Sequence, residues 1–122
     1  MNRSLHCFLW LLLATLFSGC SSFSGDISFR NESPKEVWVE RVEGFEYQPP
    51  VGILIPGAYI GSSMGSMKFP EEIVLLWSGE WHKADQRSVI SLKGLAPPTP
   101  EKEILFIFTS ERVWTAKWKD EK

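Results

Sequence analysis

Apolar residues fall in short runs along this chain. From Asp26 onward the runs carry the two-residue period of a strand, not the 3.6-residue period of a helix. Asp26 to Arg30 alternates polar and apolar. Lys35 to Phe45 gathers the strand formers Val37, Trp38, Val39 and Val42 among charges that turn one face toward water. Val51 to Ile55 is a brief apolar run stopped by Pro56-Gly57. Ile73 to Trp77 and Ile104 to Phe108 are apolar at every position, which predicts interior strands covered on both faces. Ser88 to Leu92 supplies a further strand. Val113 to Trp118 puts Trp114, Ala116 and Trp118 on one side, with Val113, Thr115 and Lys117 on the other.

The segments between these runs have turn chemistry. Asn31-Glu32-Ser33-Pro34 joins residues that bond their own backbone to one that fixes φ. Gly44 to Pro50 reads as a loop, and Ala58 to Pro70 as a short strand running into a Gly/Ser-rich loop. Leu95 to Pro100 holds three prolines and predicts a stiff connection. Six or seven short strands at fairly even spacing predict an all-β fold, a small antiparallel β-sandwich with a small β-barrel as the alternative.

The N-terminal 19 residues read differently. One cation, Arg3, precedes an unbroken apolar run from Phe8 to Ala14, and small residues follow at Ser18-Gly19. That is the layout of a secretory signal, too short to cross a bilayer as a helix. Leu16-Phe17-Ser18-Gly19-Cys20 resembles the lipobox of bacterial lipoproteins. The resemblance implies a signal peptide over 1–19, lipidation of Cys20 as the new N-terminus, and a membrane partner reached through that lipid. The alternative is an ordinary signal cut nearby, leaving Cys20 a free thiol. Residues 20–25 then read as a short polar tether and 26–119 as a single β domain. By analogy with the same family, Ser21 after the cysteine, where Asp would direct otherwise, implies an outer-membrane location facing the periplasm.

Processing changes the composition. Removing 19 of the 122 residues leaves 103, one small domain. The net charge of −2 becomes −3, because Arg3 departs and all 15 acidic residues stay. A mildly acidic domain lacks the basic face that nucleic acid demands. With Cys7 gone, no intrachain disulfide can form, so stability rests on the core. Five tryptophans remain to build it: Trp38, Trp77, Trp81, Trp114 and Trp118.

Candidate chemistry is sparse. Gly61-Ser62-Ser63-Met64-Gly65 matches the G-x-S-x-G nucleophile elbow, which requires a strand before it and a helix after it. Pro70 would break that helix, and His82, the one histidine left after processing, lies too close in sequence to complete a triad. The pattern reads as a Gly/Ser loop. A zinc site needs three or four Cys or His ligands, and calcium needs convergent oxygens. Neither set is visible, and no phosphate loop or dinucleotide fingerprint appears. No enzyme, metal site or cofactor is expected.

What remains is surface. Phe45, Tyr47, Tyr59, Met64, Met67 and Trp81 place aromatic and methionine side chains in turn-like segments, which suits the binding of a protein partner. The competing reading folds them back as lids over the ends of the sandwich. In size and build the chain also resembles small proteobacterial lipoproteins, some of which accompany secreted antibacterial effectors as immunity proteins. That resemblance implies a lipid-anchored periplasmic binding protein, with a structural accessory role in an envelope assembly or secretion machine as the alternative.

Overall fold

The computed structural model describes residues 23–80 and 83–120, and the patterned runs become eight strands. These are β1 (Asp26–Asn31), β2 (Val37–Glu43), β3 (Ile53–Leu54), β4 (Tyr59–Ser63), β5 (Glu72–Ser78), β6 (Gln86–Ser91), β7 (Ile104–Phe108) and β8 (Trp114–Trp118). They form two four-stranded sheets, ordered β4-β1-β7-β8 and β3-β2-β5-β6, packed as a sandwich that does not close into a barrel. Among the described residues there is no helix.

Three details depart from the sequence expectation. There are eight strands where six or seven were expected, and the short Val51–Ile55 run supplies only the two-residue β3. One central pair, β1 with β7, is parallel, Ile27 lying opposite Ile104 and Asn31 opposite Phe108. A hairpin forces antiparallel pairing, but these two strands are separated by the whole second sheet, so nothing local fixes their relative direction. The Gly/Ser stretch also differs, since β4 runs extended through Gly61, Ser62 and Ser63 against β1.

Strand β2 shows how the pattern of side chains is kept in phase. Val37, Val39 and Val42 are all buried, yet strict alternation would send Val42 outward. A bulge resolves this: the register with β5 shifts between Val39 and Arg41, leaving Glu40 as the extra residue. Val39 then faces inward opposite Trp77, and Val42 faces inward opposite Leu75.

The core is largely aromatic. At one end Trp77 meets Phe108 at 4.9 Å between ring centroids, and Phe108 meets Trp114 at 5.0 Å. At the other end Phe23 and Trp118 both pack on Phe69, at 5.2 and 5.1 Å. Phe29 and Phe106, stacked at 5.3 Å, join the two groups. Such offset and edge-on pairs add to what burial alone contributes.

Two features fix the edges of the fold. Asn31, fully buried, donates through Nδ2 to the carbonyls of Lys35 (2.7 Å) and Leu54 (2.8 Å). Its Oδ1 accepts from the Ser33 amide at 2.9 Å, the turn expected from Asn31-Glu32-Ser33. One side chain thereby ties β1 to the edge strand of the opposite sheet.

The second feature is Phe23, which is buried against the core and paired with Met67 by two backbone hydrogen bonds of 3.2 and 3.0 Å. Gly25, at φ 82°, passes so close to Gly65 that a side chain would fall on the Gly65 carbonyl. The folded domain therefore includes Phe23–Gly25, which the sequence reading assigned to the tether.

Candidate functional site

The loops singled out in the sequence do meet. The Lys68 amide donates to Glu46 Oε1 at 2.9 Å, and a cleft of about 280 Å³ lies between Gly44, Glu46, Lys68, Phe69, Pro70 and Glu71. Their apolar side chains mostly serve the core. Met67 is 5% exposed, Met64 packs on the core cluster, and Phe45 contacts both Phe23 and Phe106. These three fold back as lids over the Phe23 end of the sandwich. Tyr47, 54% exposed, remains at the surface of its loop.

Tyr59 stands apart, on the outer face of the first sheet. Its ring leans over Gly61, and its hydroxyl donates to Glu103 Oε2 at 2.9 Å. Arg30 lies 5.7 Å from the ring centroid and Lys119 5.2 Å. Lys119 also pairs with Glu103 at 3.2 Å. Hydrogen bonding to the Tyr59 hydroxyl, then to the Glu103 carboxylate, raises the Lys119 pKa above its ordinary value. Tyr59 is thus held in a charged network, away from Tyr47 and the lid residues. Trp81 and Cys20 lie outside the described residues.

Ser63 of the G-x-S-x-G match is the last residue of β4, and the Met64 amide bonds the Gly25 carbonyl at 2.9 Å. The strand–turn–helix of a nucleophile elbow is not formed there. Among the described residues, no three His, Cys, Asp or Glu side chains gather in a metal-binding group.

Two features emerge that the sequence reading did not single out. The first is the outer face of the second sheet. Register and alternation place Ile53 of β3, Trp38 of β2, Val74 and Leu76 of β5, and Val89 of β6 on that side. Ile53 and Val89 are exposed, and Val74 and Leu76 half-buried. The expectation that Ile73 to Trp77 is covered on both faces is corrected here: Ile73, Leu75 and Trp77 face the core, and Val74 and Leu76 do not join it. By contrast β7 is buried at all five positions. The signal that could have found this face is the apolar character of the same-side set Val74, Leu76 and Val89.

The second feature is a cleft of about 370 Å³ at the opposite end of the sandwich from Phe23. Its walls come from the turn after β5 (Ser78, Gly79, Glu80), the approach to β6 (Lys83, Asp85, Gln86) and Arg112 of the β7–β8 hairpin. Lys83 Nζ pairs with Glu80 Oε2 at 3.0 Å, and that contact raises the Lys83 pKa. Arg112 lies over the Phe108 ring at 5.1 Å. Comparison of the chain with protein-family models, with curated proteins and with solved structures returns no match to any of them.

Proposed function

We propose that this chain is a lipid-anchored envelope protein that binds a protein partner through the outer face of its second sheet, in the manner of an immunity protein that neutralises a secreted antibacterial effector. The anchor rests on the Leu16–Cys20 pattern. The binding role rests on one observation: Ile53, Trp38, Val74, Leu76 and Val89 run across all four strands of a face that is not the core face. An antiparallel sheet with one packed face ordinarily turns polar residues outward. A contiguous apolar patch there is characteristic of an interaction surface. Arg41, Glu43 and Arg87 lie on the same side and supply the polar groups that fix orientation at such surfaces.

The test is co-expression in the periplasm with any secreted effector found encoded in a neighbouring gene. The expected result is protection and co-purification by the wild-type chain. Ile53→Glu with Val89→Glu should lose both and melt as wild type does, because both positions are exposed. Protection undiminished in that variant would remove the face from the reading. Co-purification with an assembly or secretion component in place of an effector would favour the accessory role.

A further inference from the structure

The β7–β8 hairpin closes through Thr109 N–H to Val113 O (2.9 Å) and Arg112 N–H to Thr109 O (2.8 Å), leaving Ser110, Glu111 and Arg112 in the loop. In this loop class a type I turn is followed by a left-handed residue, a seat that glycine fills without steric penalty. Arginine fills it here, with φ at 63°. The strain therefore accompanies a particular side chain in a particular place.

That side chain has no counter-ion among the described residues. The guanidinium lies over Phe108, with Nη2 so close to Gly79 that a Cβ there would come within 2.6 Å. Nη1 is buried and has no hydrogen-bond partner among the described residues. A buried charge is costly unless something pairs with it. The nearby acidic groups do not fill that role: Glu80 is engaged by Lys83, and no ion pair joins Arg112 to Asp85 among the described residues.

We propose that this cleft is a carboxylate-binding site, with Arg112 as its anchor. The guanidinium fork matches a planar carboxylate by two parallel hydrogen bonds. The cleft is within the size range of sites for small ligands or for one protruding side chain. Its other charges narrow the ligand. Glu80 and Lys83 offset each other, and Asp85, which makes no ion pair among the described residues, adds a negative wall that disfavours a phosphate dianion and tolerates a monovalent carboxylate. The carboxylate can come from a free solute or from an acidic side chain of a bound protein. The site stands independently of the apolar sheet face.

The experiment follows the Arg112 Nε–H resonance and the melting temperature of the full chain in detergent micelles, at constant pH and ionic strength. Acetate, glutarate, phosphate and a short acidic peptide are titrated in turn. The expected result is a saturable shift of the Arg112 resonance and a rise in melting temperature with a carboxylate, and neither with phosphate. Saturation by acetate or glutarate assigns the site to free solutes. Saturation by the peptide alone assigns it to a partner's side chain. Arg112→Gly keeps the left-handed backbone, so it should fold and show no carboxylate-dependent rise. Three results would each overturn the proposal: no saturation by any carboxylate in the millimolar range, an equal response to phosphate, or an undiminished rise in Arg112→Gly.

Discussion

Replacing Asn31 by aspartate changes one atom type and almost no volume, so its cost isolates the hydrogen bonds that Asn31 makes. Nδ2 now donates to two carbonyls, Lys35 O at 2.7 Å and Leu54 O at 2.8 Å, in a fully buried site. Aspartate would present an oxygen to both. Each carbonyl left without its donor costs about 1–3 kcal/mol. The new carboxylate cannot stay charged cheaply there, so its folded pKa rises above the ordinary value of about 3.9. The Ser33 amide (2.9 Å) and hydroxyl (2.7 Å), both donating to Oδ1, oppose that rise without offsetting the loss of solvent.

The pH dependence follows in sign. A carboxyl with a raised folded pKa binds more protons folded than unfolded, so the variant loses stability as pH climbs above the unfolded pKa. It recovers as pH falls, when the protonated acid can again donate to one carbonyl. The expected deficit relative to wild type is about 3–5 kcal/mol at pH 7 and about 1–2 kcal/mol near pH 4. Urea unfolding followed by tryptophan fluorescence at both pH values measures it. A deficit under about 1 kcal/mol at pH 7, or one that ignores pH, would refute the role given to Asn31.

Three other outcomes are expected. Phe106→Ala, in the centre of the aromatic core, should cost roughly 2–5 kcal/mol, and Val74→Ala on the outer face under about 1 kcal/mol, both from urea midpoints. Equal costs would mean that Val74 is packed as tightly as the core and that the outer face of the second sheet is misassigned. Gly25→Ala should destabilise by at least about 2 kcal/mol, because a methyl group meets the Gly65 carbonyl at a backbone φ of 82°; an unchanged melting temperature would contradict that close approach. Cys20→Ser should abolish lipid labelling and membrane association, and labelling retained in that variant would end the lipobox reading.

The strands that were easiest to read are those whose pattern needs no partner to interpret it. Ile104 to Phe108 is β7 to the residue, and the alternation of Trp114, Ala116 and Trp118 became the inward side of β8. Ile73 to Trp77 misled on coverage because an apolar run looks alike whether its second face meets a layer of protein or stays open. The bulge at Glu40 was invisible for a related reason, since it exists to reconcile β2 with the register of β5. Phe45, Met64 and Met67 sit in loops, where local sequence cannot say that a loop folds inward. Arg112 carried no signal of its own. Its interest comes from a left-handed backbone, a ring beneath it and a glycine beside it, brought together by the β7–β8 hairpin and the turn after β5.

If Cys20 carries the proposed lipid, the burial of Phe23 sets how far the domain can stray from it. With Cys20 as the acylated residue, only Ser21 and Ser22 separate the lipid from a ring locked into the core, a span of about 10 Å at full extension. So short a link would act as a stud and not as a leash. On that proposal the pole carrying Phe23, Phe69 and Trp118 would be held against the headgroups, and strands of five to seven residues would raise the Arg112 pole about 20 Å above it. The apolar sheet face would then stand on edge to the bilayer. A partner would meet it within the first few nanometres of the membrane.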